Sequence, residues 1–567
     1  MKINIERKCF FKAFTALLFC GAFSASLLTS CRSLQQPDNI EGPIDYSNYD
    51  VVEAEIKRIR DFMEEEPVRA LWRAELLGRE DVKAECLDEV YKKFKVALYD
   101  KNTLLASKYY TSLKSAKHTF TREEEVKYKE IYLSSVPGLS GKNSKAPKTV
   151  SDCMHATVTI WVDRGIKVRN GAGYPDIIIG SGFFIDERGY LVTNHHVIES
   201  MVDSKYEGYS RLYVKLLSDP DTKIPAKVIG YDSVLDLALL KVEIEPDFVL
   251  SLGSSSDLSI GDKVSAIGTP IGLEGTLTSG IISSTDRKLE TLGNVFQIDA
   301  AVNSGNSGGP LIDQNMKVQA IVFAGMLQYQ GLNFAIPVEY LKLLLPYMYR
   351  PEVPKDEKQL EDEPESLQVM HPWICAYGHT MRVGNKKTGL EVQYVMPGGS
   401  AALSGLKMGD VITEIDGNPI KTIEDFQLYE ISAQPGTMVS CKYKTQGAEG
   451  DSEEKSCLLL FEERPESPLT LIYKSDFVDN SFIPIYGMQV TRASSESKKI
   501  YKITKVIRGT VADEMSFSEN DQLGLYGVKF DNENKFIMTQ IMIQRKKKGL
   551  IDVGMVLTAP YDNPYYF

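Results

Sequence analysis

The rhythm of apolar residues changes along this chain, and each change marks a different kind of element. Phe10 to Leu28 is a nearly unbroken apolar run behind Lys2, Arg7 and Lys8, interrupted only by small polar residues and Lys12. A basic start followed by a short apolar stretch reads as a secretory signal peptide rather than a stable span. From about 46 to 133, Val52, Ile56, Ile59 and Met63, then Leu71, Leu76 and Leu77, recur mostly at steps of three and four with charges between. That period lines one face of a helix, so an α-helical domain is expected over 46–133. Between Ala156 and Ile336, short runs such as Ala156-Thr157-Val158-Thr159-Ile160-Trp161-Val162 alternate with glycine-containing turns. Many short strands of this kind predict an all-β domain over 151–348. A helix from Val338 to about Leu345 should close it.

Polar stretches separate these blocks. Residues 31–45 read as a short tether after a signal segment of 1–30. Residues 134–150 are rich in Ser, Gly, Pro and Lys and read as a linker. Residues 349–366 hold seven acids against three bases, with three prolines, which predicts an acidic, extended hinge. At 567 residues the chain is too long for one core, so several domains are expected.

The chemistry is concentrated in three stretches. Asn303-Ser304-Gly305-Asn306-Ser307-Gly308-Gly309-Pro310-Leu311 places a serine between glycines. Small neighbours leave room for a substrate carbonyl and let backbone N–H groups converge on one point, as an oxyanion hole requires. Leu191-Val192-Thr193-Asn194-His195-His196-Val197-Ile198 delivers histidine where an apolar run turns polar. Leu235-Asp236-Leu237-Ala238-Leu239-Leu240-Lys241-Val242 sets one aspartate at the head of an apolar run. A serine nucleophile needs an imidazole base, and the imidazole needs a carboxylate to fix its tautomer and stabilise its charge. The chain order His, Asp, Ser is that of chymotrypsin-like double barrels.

Taken with Gly180-Ser181-Gly182-Phe183, Ala266-Ile267-Gly268-Thr269-Pro270-Ile271-Gly272-Leu273 and Asn333-Phe334-Ala335-Ile336-Pro337, these stretches resemble the high-temperature-requirement (HtrA/Deg) serine proteases over roughly residues 151–465. The resemblance implies a chymotrypsin-like double β-barrel followed by one PDZ domain at 367–465. It implies Ser307 as nucleophile, Asp236 as orienting carboxylate and His196, immediately before Val197, as base; His195 reads as a hydrogen-bonded or solvent-facing neighbour. The oxyanion would be received at Gly305 and Ser307, with Asn306 in the same turn. Arg287 matches a regulatory arginine in a signalling loop of some members. Ile321-Val322-Phe323-Ala324-Gly325-Met326 lies where the family lines its specificity pocket, and without an acid there a small or medium apolar residue is the expected preference. Misfolded exported proteins are the implied substrates, and a homotrimer, or a multiple of it, the implied assembly.

PDZ domains bind peptides by strand addition and catch a terminal carboxylate on a backbone loop. The matching loop is Trp373-Ile374-Cys375-Ala376, with cysteine where the family places glycine, which weakens the expectation of carboxylate capture. Residues 466–567 resemble a divergent second PDZ copy, with Val506, Gly509, Ala512, Phe517 and Asp521 set against Val395, Gly398, Ala402, Leu406 and Asp410, allowing one insertion. Leu28-Thr29-Ser30-Cys31 resembles a bacterial lipobox. By that likeness Cys31 carries lipid and tethers the protein to a membrane in the cell envelope, facing the periplasm or the exterior.

Composition narrows the alternatives. The net charge of −12 argues against nucleic acid as a partner. Cys86, Cys153, Cys375, Cys441 and Cys457 are odd in number and irregular in spacing, so neither a disulfide framework nor a metal site is expected. Cys441 and Cys457 could face each other across a hairpin; buried free thiols are the default. His118, His155, His371 and His379 are scattered without ligand partners, and no cofactor is implied. Two rival readings stand beside a quality-control protease: a PDZ-based peptide-binding or chaperone protein on a non-catalytic scaffold, and a regulatory protease with one specific partner.

Overall fold

A computed structural model describes residues 46–562 except 142, 204–205, 207–209, 270–274, 288–292, 326–331, 351–365, 447–451, 494–498, 533 and 546–550. The signal segment, Cys31 and most of the acidic hinge therefore lie outside the described residues, as does Met326.

Five helices, Tyr49–Phe62, Pro67–Leu77, Glu80–Tyr99, Thr103–Ser115 and Arg122–Ser135, form the N-terminal domain. Their limits follow from the sequence. Asn102 accepts the N–H of Leu105 at the start of the fourth helix, and Thr121 with Glu124 forms a reciprocal capping box on the fifth. Gly78 ends the second helix in the left-handed conformation. Ile59, Leu71, Val82, Phe94 and Leu113 are fully buried between them. This domain does not stand apart on its linker. The Trp72 indole N–H donates to the Leu458 carbonyl (3.0 Å), Ser112 accepts the N–H of Met438 (3.0 Å), and Ser115 donates to Asp416 (2.8 Å). All three partners belong to the first PDZ domain. The linker is itself fastened to the barrels, through Asn143 to the Val249 carbonyl and Lys145 to Glu245.

Two six-stranded barrels follow. In the first, Thr157–Arg169, Ala172–Phe184, Tyr190–Thr193, Leu237–Val242, Asp219–Asp232 and Arg211–Leu216 pair in that circular order. The second closes from Lys263–Gly268, Thr276–Arg287, Val295–Ile298, Asn333–Pro337, Val318–Gly325 and Pro310–Ile312. The helix Val338–Met348 completes the domain. Beyond the hinge, a short strand Leu367–Gln368 lies parallel on the edge of the first barrel, with Leu367 beside Gly230 and Gln368 beside Tyr231.

The first PDZ domain orders its strands Ala376–Val383, Lys386–Val395, Val411–Ile415, Met438–Gln446 and Ser452–Leu460, with the helix Ile423–Ile431 started by a Thr422–Asp425 capping box. The second copy orders Met488–Arg492, Ile500–Val506, Gln522–Asp531, Phe536–Arg545 and Ile551–Pro560. The two share a hydrogen-bond frame at a constant shift of 111 positions, from 395 to 506 and from 410 to 521. Val392 N–H donates to Asp410 O as Ile503 N–H does to Asp521 O, and Leu406 N–H to Ala401 O as Phe517 N–H does to Ala512 O. That register sets Ala401, not Ala402, against Ala512 and needs no insertion, which corrects the alignment expected from sequence. Where the first copy carries its helix, the second turns directly from Gln522–Asp531 into Phe536–Arg545. Trp373, Tyr377 and Tyr394 of the first copy are buried in one continuous core with Phe482, Tyr486 and Tyr501 of the second.

Candidate active site

Each half of the site comes from one barrel. Strand Tyr190–Thr193 ends at the fully buried Asn194, and the helix His195–Val202 begins there, which sets His196 in its first turn. The Asn194 side chain donates to the Asp236 carbonyl at 2.8 Å and so ties the histidine turn to the aspartate turn. Asp236 stands at φ 55°, in the left-handed region. Such strain in a non-glycine residue persists only where surrounding contacts fix it, and Asp tolerates it better than most. Here Asp236 Oδ1 accepts the His196 backbone N–H at 2.8 Å, and Oδ2 faces His196 Nδ1 at 2.7 Å. This bond assigns the proton to Nδ1 and leaves the Nε2 lone pair free. Burial lowers the imidazole pKa, but the hydrogen bond and charge of Asp236 outweigh it and raise the pKa above its ordinary value. The neighbouring His195 instead stacks on Tyr231, with ring centres 5.1 Å apart, and burial pushes its pKa down.

In the second barrel the turn 303–309 is shaped by Gly305 at φ 103° and Gly308 at φ 85°. Gly308 has no room for a side chain: a Cβ would lie 2.2 Å from the Ser181 carbonyl and 2.3 Å from Thr193 Oγ1. The turn therefore rests directly on the strand that leads to His196. Among the described residues, the N–H groups of Gly305 and Ser307 have no partner. The Asn306 N–H, by contrast, donates to the Asn303 carbonyl at 3.0 Å. Asn306 is thus framework for the turn, which corrects the expectation that it shares in oxyanion binding. Ser307 Oγ donates to the Phe323 carbonyl at 3.3 Å and is not bonded to His196.

The residue that fixes this turn is Ser181. Its hydroxyl donates to the Gly305 carbonyl (2.6 Å) and its N–H to the Ser307 carbonyl (2.8 Å). Thr269 N–H donates back to Ser181 Oγ (3.0 Å), and Thr193 donates to the Ser181 carbonyl (2.7 Å). Ser181 and Thr193 are fully buried and Thr269 nearly so. Sequence reasoning quoted all three inside motifs but gave them no role. Small hydroxyl residues beside buried glycines were the available signal.

The comparisons with known proteins agree with this architecture. A trypsin-like peptidase domain matches residues 180–321, a PDZ domain residues 391–434, and a TP0546 family PDZ domain residues 469–561. A domain of unknown function, DUF8517, matches residues 50–134. The probable periplasmic serine endoprotease DegP-like of Hahella chejuensis is 34% identical over 284 residues, covering 48% of this chain and 55% of that protein. Its counterpart of the same description in Bartonella henselae is 35% identical over 285 residues, covering 49% and 53%. Over this region the chain is similar to the DegP-like serine endoproteases. It spans about half the length of the curated relatives it matches. Among solved structures, the HtrA-type protease AlgW with tripeptide is 26% identical at a TM-score of 0.44, covering 56% of this chain and 96% of that one.

The other HtrA/DegP positions fall out unevenly. Arg287 is exposed at the end of its strand and donates to Gln297 at 2.8 Å. The expected specificity wall is largely interior: Ile321 and Val322 are fully buried in two different cores, and of these three residues only Phe323 is part-exposed. In the first PDZ domain Trp373, Ile374, Cys375 and Ala376 are all buried. Cys375 stands at φ 60°, the conformation for which glycine is otherwise used, as Gly487 is at φ 74° in the second copy. Its thiol approaches Glu462 Oε1 at 3.5 Å, and the same oxygen accepts the Ser400 N–H at 3.0 Å. The chain's own carboxylate thus bonds to groups beside the loop proposed to hold a peptide terminus. Cys441 and Cys457 face each other in register across their hairpin and are free thiols.

Proposed function

We propose that the chain is an exported serine endopeptidase that cleaves unfolded or damaged envelope proteins through Ser307, His196 and Asp236. The observation that carries this reading is the double fastening of His196 to Asp236, beside a glycine turn with two N–H groups unpartnered among the described residues. Rotation about the Ser307 side chain exchanges the Phe323 carbonyl for His196 Nε2. His196 then takes the hydroxyl proton as Ser307 attacks the peptide carbonyl, and Asp236 stabilises the imidazolium. The N–H groups of Gly305 and Ser307 receive the oxyanion, where each such donor is worth about 10²–10³ in rate. The amine leaves with the proton from His196, and water repeats the sequence on the acyl-enzyme.

Cys31 carries a lipid that holds the enzyme to an envelope membrane, and the family likeness implies a homotrimer. Peptides add as a strand along Ala376–Val383, the edge of the first PDZ sheet, with activation relayed through Arg287. Hydrolysis of casein by the full chain and by Ser307→Ala tests the proposal. Cleavage by the wild type alone supports it. Cleavage by neither, with apolar C-terminal peptides added, overturns it in favour of a peptide-binding protein.

A further inference from the structure

His371 is scattered in sequence from the other histidines and without metal-ligand partners there. It lies instead where the segment leading into the first PDZ domain meets the turn that delivers Asp236. The strand Leu367–Gln368 runs beside Gly230 and Tyr231, and the Val369 N–H continues the pairing to the Tyr231 carbonyl at 2.8 Å. His371 Nε2 then stands 2.7 Å from Asp232 Oδ2, with the two side chains 8% and 0% exposed. The approach is short but not aligned as a hydrogen bond, and the contact is an ion pair when His371 is protonated.

Asp232 is the last residue of the strand Asp219–Asp232, immediately before the turn 233–236 that ends at Asp236. Its other oxygen, Oδ1, accepts the N–H groups of Val234 and Leu235, both at 2.8 Å. One carboxylate therefore faces two ways, to the PDZ-side histidine and to the backbone just before Asp236. We propose that His371 is a positioning residue for the reaction: by holding the Asp232 carboxylate in place, it fixes the turn that presents Asp236 to His196.

The surroundings favour a charged pair. Burial is the largest single influence and lowers the His371 pKa, but the charge of Asp232 and its close approach to the ring together outweigh it and raise the pKa above its ordinary value. Arg464 donates its N–H to the His371 carbonyl at 3.0 Å, and its guanidinium forks onto Asp562 at 2.7 and 2.8 Å. Glu430, fully enclosed on the helix Ile423–Ile431, has its pKa pushed up to about 8 by burial and is neutral at pH 7. His371 and Arg464 thus meet Asp232 and Asp562 where the barrel adjoins both PDZ copies. Removing His371 leaves the Asp232 carboxylate buried without a counter-charge, and buried ions shed that cost by protonating or moving. Either response loosens the Val234 and Leu235 bonds.

The inference rests on the serine-protease reading of the site. Its test compares the full-length wild type, His371→Leu, and Asp232→Asn/His371→Gln, which replaces the ion pair with a neutral amide pair. The readouts are the rate of Ser307 labelling by a fluorophosphonate probe and kcat and KM on an unfolded substrate, from pH 5 to 9. His371→Leu is expected to lower kcat and labelling about 10²-fold at little change in KM, the scale of a misplaced catalytic group. The midpoint of the acid limb should fall toward the ordinary histidine value of about 6.5. The double variant should recover most of the rate. Unchanged kcat and an unmoved acid limb in a folded His371→Leu overturn the inference while leaving the protease reading intact. If His371→Leu does not fold, a double variant as slow as that loss predicts overturns it equally. A wild type no more reactive than Ser307→Ala overturns the protease reading itself, and the inference with it.

Discussion

In the first barrel His196 and Asp236 are bonded to each other twice; in the second, Ser307 is bonded to neither of them. In the first half one carboxylate holds both the backbone and the ring of the histidine. The second half borrows its geometry from a neighbour. The turn around Ser307 is clamped at two carbonyls by Ser181, a residue 126 positions earlier in the other barrel. On the proposed mechanism the acid–base pair is thus assembled before any substrate arrives, whereas the proposed nucleophile, Ser307, is placed but not engaged. Control over activity has most to act on in the second half.

The comparison can be broken most forcefully at Asp236. Asp236→Asn should lower kcat by about 10⁴, the scale seen when a triad loses its orienting carboxylate. Asn tolerates the left-handed backbone, so the thermal midpoint should stay within a few degrees. A small loss of kcat would mean that the first half is not prepaid by Asp236. Ser181→Ala removes the hydroxyl bond to Gly305 and should lower kcat and Ser307 labelling about 10²-fold, the cost of a misplaced group. The two substitutions separate in their pH dependence. In the wild type kcat/KM should fall as pH drops through the raised His196 pKa, because only the neutral imidazole accepts a proton. Below the unfolded value of about 6.5 the charged His196–Asp236 pair adds stability, which is lost as pH rises through the folded pKa. Asp236→Asn should move the acid limb downward, whereas Ser181→Ala should leave it in place. Equal movement in both would show that the halves are not independent. The smallest effect is expected for Thr269→Val, which removes the bond to the Gly180 carbonyl at 3.2 Å but keeps the backbone donor to Ser181. A several-fold loss of kcat and about 1 kcal/mol of stability, read by urea unfolding, is the expected outcome.

The proposed site residues stood out in the sequence because the chemistry proposed for them needs particular side chains at particular places: a serine among glycines, a histidine and an aspartate at the ends of apolar runs. The barrels, the PDZ frame and the helical domain were legible from apolar period and turn residues. What escaped was contact between distant segments. Nothing around Trp72 or Ser112 announces that the helical domain packs on strands more than 300 positions away. Nothing around His371 points to Asp232. Backbone direction was equally hidden, since sequence could place Asn306 in the turn but not show that its N–H faces inward to Asn303. The missing helix of the second PDZ copy was blurred by a repeat aligned through only a handful of residues.

The core shared by the two PDZ copies bears on how such chains are inherited. Their matched hydrogen-bond frames speak of duplication, and duplicated modules are usually free to be shuffled or lost. Here Trp373, Tyr377 and Tyr394 on one side of the boundary are buried with Phe482, Tyr486 and Tyr501 on the other. A descendant shortened near residue 466 would bare aromatic surface that water and other chains could reach. The two copies are alike in frame but indivisible in descent.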